Sequence, residues 1–120
     1  MKILVVEDSE NVRQSLVKLL SRVFENIEID EAENISQGKE QLSKSIHDLI
    51  ILDLNLPDGS GINLITQAKA ISNSKVIVFS STASEFIRKR ALSLGADHFI
   101  DKTFEFEKLM NTLENLQPSS

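Results

Sequence analysis

Short apolar runs alternate along this chain with longer stretches in which apolar residues recur at helical spacing, and the alternation repeats five times. Ile3-Leu4-Val5-Val6, Leu49-Ile50-Ile51-Leu52 and Val76-Ile77-Val78-Phe79 are apolar at every position, as strands covered on both faces must be. By contrast, Ile27-Glu28-Ile29-Asp30 alternates and Asp97-His98-Phe99-Ile100 is short and mixed, which is the habit of edge strands. The pattern predicts strands over 2–6, 27–31, 48–53, 75–80 and 97–100, and helices over 10–24, 35–45, 61–71, 84–94 and 104–116. In the first helix Val12, Leu16, Leu19, Leu20 and Val23 make one stripe, and in the last Phe106, Leu109, Met110, Leu113 and Leu116 make another, both expected to face the core. Thr82 with Glu85 and Asn34 with Gln37 have capping-box spacing, and Gly95 suits the left-handed turn after the fourth helix.

Strands and helices in strict alternation imply an α/β domain with one parallel sheet. A 2-1-3-4-5 order, that of a flavodoxin-like (βα)5 doubly wound five-stranded sheet, satisfies this with the three apolar strands central. The first and third strands are then neighbours at the switch point, where ligands bind outside the carboxyl ends of the strands. Glu7 and Asp8 end the first strand and Asp53 ends the third, so residues far apart in sequence are predicted to meet. Two like charges 4 Å apart repel by about 4 kcal/mol at an effective dielectric of ~20, and a hard divalent cation offsets this. Magnesium (Mg2+) fits best, since it takes one or two carboxylates and a phosphate oxygen while keeping several waters. Lys102 and Ser80, each ending a strand, can reach the same crevice as a point charge and a hydroxyl donor. A nucleophile, a metal and donors are what phosphoryl transfer to a carboxylate requires, with Asp53 as the nucleophile.

Composition narrows the class further. At 120 residues, 41% hydrophobic and 26% charged, the chain has the size and balance of one domain, 1–120. The closing Gln117-Pro118-Ser119-Ser120 reads as a natural end or as the start of a linker or C-terminal tail. A net charge of −5 argues against broad attraction to nucleic acid or anionic lipid. Absent cysteine removes disulfides, thiolate zinc sites and cysteine nucleophiles, and fits a reducing compartment. No apolar run reaches the length of a membrane span and Met1-Lys2 leads directly into a strand, so a cytoplasmic protein is expected.

Essentially the whole chain resembles a receiver domain of two-component response regulators. The family's acidic pair matches Glu7 and Asp8, its phosphoacceptor Asp53, its switch hydroxyl Ser80 and its lysine Lys102. By the same resemblance the metal site also uses the backbone carbonyl of Asn55, the mobile aromatic is Phe99, and Leu56-Pro57-Asp58-Gly59-Ser60-Gly61 is the loop after the phosphoacceptor. The resemblance implies a signalling phosphoacceptor rather than an enzyme, catalysing only its own phosphorylation and dephosphorylation. A sensor histidine kinase or phosphotransfer protein would donate the group from a phosphohistidine. It also implies a homodimer through the fourth helix, fifth strand and fifth helix, with no nucleic-acid or membrane contact by this domain. Two departures stand out. Thr103 follows the lysine where most members have proline in a cis bond, and a cis bond to a non-proline residue costs about 2.5–4 kcal/mol, so Thr103 is read as a cap for the last helix. Ser81 beside Ser80 offers a second hydroxyl, but spacing to Gly95 favours Ser80.

Blander readings compete for single residues. Glu7 and Asp8 alone could complement a helix dipole, Asp53 could be a turn residue, and Phe99 could be core. Gly59-Ser60-Gly61 lacks the third glycine of a dinucleotide fingerprint. His47 and His98 are expected to be partly exposed and away from the crevice, and Arg88-Lys89-Arg90 to be a solvated helix face. The rival enzyme is an aspartate-dependent phosphatase of the haloacid dehalogenase type, which needs a second aspartate where Asn55 stands. A phosphorylation-independent interaction module on the same fold is the third reading.

Overall fold

The computed structural model describes residues 1–81 and 84–116. Strands β1 (Lys2–Val6), β2 (Glu28–Ala32), β3 (Leu49–Leu52), β6 (Lys75–Ser80) and β7 (His98–Asp101) form one sheet, and a short hairpin, β4 (Asn55–Leu56) with β5 (Gly59–Ser60), follows β3. Helices α1 (Glu10–Val23), α2 (Ile35–Lys44), α3 (Ile62–Ile71), α4 (Glu85–Ser93) and α5 (Phe106–Asn115) make the crossovers. The sheet order is β2-β1-β3-β6-β7, the 2-1-3-4-5 pattern of the flavodoxin-like fold, and every pairing in it is parallel. Predicted bounds move by one or two residues, and the hairpin was read only as loop.

Strict side-chain alternation sorts each central strand onto two cores. Leu4, Val6, Ile50, Leu52, Val76 and Val78 face Leu42, Leu64, Ile65, Ala68 and Ala91 of α2, α3 and α4. Ile3, Val5, Leu49, Ile51 and Ile77 face Leu16, Leu20, Leu109 and Leu113 of α1 and α5. Burying each such side chain contributes about 1.5–3 kcal/mol. The double covering explains why these strands are apolar throughout.

Helix ends follow their local chemistry. Ser9 and Asn34 cap α1 and α2 by accepting from Val12 N and Gln37 N, and Gln37 Oε1 in turn accepts from Glu33 N at 2.8 Å. Ser84 caps α4, accepting from Ile87 N, whereas the predicted partner Thr82 lies outside the described residues. Gly95 has φ +115, as expected after α4.

Three expectations are corrected. Thr103 does not cap α5, which begins at Phe106 with Glu105 in the cap position. Asp101 turns the chain there instead: its Oδ1 accepts from Thr103 N at 2.8 Å, its carbonyl accepts from Glu105 N, and its own N–H donates to Glu105 Oε1. Phe106, placed in the core stripe, is 46% exposed because it precedes the turn of α5 that meets the sheet, and it borders a cavity of about 250 Å³ between α1 and α5. His47 is buried, not partly exposed, since Asp30 Oδ2 reaches its Nε2 at 2.8 Å across the edge of the sheet.

Candidate functional site

β1 and β3 end side by side, Val6 opposite Leu52, and the register carries onward: Asp53 N donates to Val6 O and Glu7 N to Ala32 O. Past these bonds the chains diverge into α1 and the hairpin, and a crevice opens. Into it come Glu7 (2% exposed), Asp53 (5% exposed) and the exposed Asp8, each offering a carboxylate oxygen within 4.8 Å of the others'. Ser80, at the end of β6, is fully buried and donates from Oγ to Asp53 Oδ1 at 2.8 Å. Asn55 N donates to the same oxygen at 3.0 Å, and Asn55 Nδ2 reaches Ser80 Oγ at 3.4 Å. Lys102, one residue past β7, donates from Nζ to Asp53 Oδ2 at 2.7 Å and to Glu7 Oε1. Of the two serines, Ser81 is exposed while Ser80 lies against the carboxylate.

The electrostatics follow from two buried carboxylates sharing one ammonium. Burial pushes the Glu7 carboxyl above its ordinary value, and nearby Asp53 adds to this; the bonds from Lys102 and Ser9 N oppose the shift without cancelling it. Burial would discharge Lys102, but its hydrogen bonds to Asp53 and Glu7 outweigh that and raise its pKa, so it stays an ammonium. Charge remains uncompensated on the acidic side. An all-oxygen set of three carboxylates suits a hard divalent cation, and exposed Asp8 leaves the waters that magnesium keeps an open side.

Phe99 lies on β7 and is buried, with the Arg88 guanidinium carbon 6.0 Å from its ring centroid. It lines a groove with Arg88, Asp101, Phe104 and Glu105, on the far side of β6 from the acidic cluster. His98 is partly exposed, and His47 sits near the opposite ends of the strands, where Asp48 N donates to Lys2 O. Neither histidine joins the site. A residue not singled out in the sequence does adjoin it: Arg13, 8% exposed, donates from Nη1 to the carbonyl oxygen of Glu7 at 2.8 Å. Its signal is a cation on the apolar stripe of α1, three residues before Leu16 and seven before Leu20.

Comparison with known proteins places these features in a lineage. The family model described as response regulator receiver domain matches residues 3–114. The sensory transduction protein LytR of Staphylococcus epidermidis is 40% identical over 109 residues, covering 91% of this chain and 43% of that protein. The KDP operon transcriptional regulatory protein KdpE of Escherichia coli is 36% identical over 111 residues, covering 92% of this chain and 48% of its own length. The chain spans about half the length of the curated relatives it matches. Among solved structures, a CheY-like response regulator receiver domain protein from Methanospirillum hungatei superposes with a TM-score of 0.80 at 27% identity, covering 95% of this chain and 94% of that one. The signal receiver domain of a DNA binding response regulator from Colwellia psychrerythraea gives 0.87 at 25% identity, covering 97% of each.

Proposed function

Because this chain belongs to the response regulator receiver domain family, a signalling module rather than a classical enzyme, we propose that Asp53 is its phosphoacceptor, served by Ser80 and Lys102. One observation carries the reading: Asp53 holds Ser80 Oγ on one oxygen and Lys102 Nζ on the other, with Glu7 and Asp8 beside it. A carboxylate alone is a weak nucleophile toward an anionic phosphoryl group, and positioned cations and donors remove that obstacle. Glu7, Asp8 and Asp53 would hold magnesium, joined by the carbonyl of Asn55. Magnesium held there would supply neutralisation of the charge that develops on the phosphoryl oxygens.

In the transfer an Asp53 oxygen attacks phosphorus, the bond from phosphorus to the donor's histidine nitrogen breaks, and the nitrogen keeps the electron pair. Lys102 and Ser80 then turn from the carboxylate to the new phosphoryl oxygens, each donating one hydrogen bond. Water attack on the acyl phosphate later regenerates Asp53. The donor is a sensor histidine kinase or phosphotransfer protein in the cytoplasm. The phosphoryl group adds about −1.5 to −2 charge and strong acceptors beside the buried Ser80, and Phe99, packed beneath Arg88, is the switch residue through which that change would reach the surface. Phe104, 85% exposed and lining that groove, would supply an apolar contact for a partner or a second copy.

Intact-mass spectrometry after incubation with acetyl phosphate, with and without magnesium, tests this on the native chain and on Asp53→Asn. The expected result is one magnesium-dependent, hydroxylamine-labile phosphoryl adduct that Asp53→Asn lacks. An adduct that persists in the variant would remove Asp53 from the role. No adduct under any condition would favour the phosphorylation-independent interaction module.

A further inference from the structure

A buried guanidinium is tolerated only when its donors are matched, and Arg13 has three acceptors of two kinds. Two are carboxylates: Nε donates to Glu31 Oε1, in β2, at 2.9 Å and Nη2 to Glu33 Oε1, on the connection from β2 to α2, at 3.2 Å. These offset its charge. The third is the carbonyl oxygen of Glu7, taken by Nη1 at 2.8 Å. That carbonyl belongs to the peptide joining Glu7 to Asp8. Holding its oxygen fixes the plane of a rigid unit and so constrains the directions in which two successive carboxylates leave the chain.

We infer that Arg13 is a positioning residue for the cation site, orienting the Glu7–Asp8 peptide so that both side chains converge with Asp53. The inference rests on reading Glu7, Asp8 and Asp53 as a magnesium site. Its anchor is itself braced: Glu33 N donates to Gln37 Oε1 in the first turn of α2, and Asp58, in the hairpin after Asp53, accepts from Ile35 N and Ser36 N at 2.9 and 3.1 Å. From Asp58 through the start of α2 and Glu33 to Arg13, hydrogen-bonded elements link the loop after Asp53 to the acidic pair. Arg13's bonded acceptors are Glu31, Glu33 and the Glu7 carbonyl, none of them a carboxylate of the proposed cation set, so its effect belongs to cation affinity and not to the chemical step.

Calorimetric titration with magnesium chloride tests this on the native chain, Arg13→Gln, Arg13→Lys and the ligand control Asp8→Asn, alongside metal-free melting temperatures. Arg13→Gln should raise the magnesium dissociation constant about tenfold, the usual cost of losing a partner that orients a metal ligand. At saturating magnesium, phosphorylation by acetyl phosphate should stay within about twofold of native, because the reacting groups are untouched. Arg13→Lys, which keeps one cationic donor but cannot span three acceptors, should recover part of the affinity. A lower melting temperature with native magnesium affinity in Arg13→Gln would overturn the inference, leaving Arg13 a structural brace. Should Arg13→Gln fail to fold, native affinity in Arg13→Lys would overturn it equally. If the native chain binds no magnesium, the reading of the cation site itself fails.

Discussion

A Cβ on Gly61 would stand 2.8 Å from the backbone oxygen of Asp53 and 3.1 Å from Leu52 Cδ1. Gly61 is therefore the residue that lets α3 start against the end of β3, and its neighbour Gly59, at φ +133, turns the hairpin. This is why the glycine pair is no dinucleotide loop. Gly61→Ala should cost about 1–3 kcal/mol in urea denaturation, because a backbone atom cannot give way as a flexible side chain can. A second test at this scale concerns Glu7. Its carboxyl titrates above the ordinary 4.5, so the folded chain binds the proton more tightly than the unfolded one. The stability it contributes is complete below the unfolded value and is lost as pH rises through the folded value. Metal-free thermal melts of the native chain should accordingly fall, relative to Glu7→Gln, as pH rises from about 4.5 toward neutrality. Asp97 acts in another window: burial opposes its charge, but Lys69 and Val76 N hold its carboxyl below the ordinary 3.8, so its share is lost only as pH drops through that lower range. Asp53→Asn removes one of two buried anions around Lys102. It should raise the metal-free melting temperature by a few degrees, roughly 1 kcal/mol, since the lost bond to Lys102 offsets part of the relieved repulsion.

At the scale of elements, α2 is secured at its start by two side chains. Asn34 accepts from Gln37 N, while Asp58 reaches in from the hairpin to Ile35 N and Ser36 N. Those donors hold the exposed Asp58 carboxyl below its ordinary range. Asn34→Ala should cost about 1 kcal/mol by chemical denaturation, as a lost N-cap does. The beginning of α5 is settled differently. Lys102 has to turn back toward Asp53, and the Asp101 turn that allows this takes up residues 101–105 before a helix can begin. Local spacing predicted a helix from 104, and the demand of the site delayed it.

Across the whole molecule, the proposed phosphorylation of Asp53 would act through a surface away from the crevice. The groove bearing Phe104 and the Arg88 guanidinium over Phe99 lies past β6 from the acidic cluster, so in the proposed switch Ser80, at the end of that strand, would be the link. Sedimentation velocity should show concentration-dependent association after phosphorylation, and Phe104→Ala should weaken it. A chain that stays monomeric in both states would leave that face to another partner. The three central strands were legible in advance because only a strand covered on both faces can be apolar at every position, and three runs have that composition. Glu7, Asp8, Asp53, Ser80 and Lys102 were legible as candidates because each sits where such a run ends. Arg13 was not, since its partners Glu31 and Glu33 are distant in sequence and an arginine on a helix is ordinarily solvated.

Taken alone, the amino-acid sequence determined the alternation of strands and helices, which strands are central and the positions of the acidic strand ends, because these follow from side-chain periodicity and burial. The tertiary structure decided which polar atoms meet. It gave Asp53 a hydroxyl on one oxygen and an ammonium on the other, sealed His47 against Asp30, left Phe106 half in solvent and closed Arg13 onto the Glu7 carbonyl. Periodicity assigns a residue to a face. Hydrogen bonding needs distance and direction to within a few tenths of an ångström, and those are set only when the elements have packed.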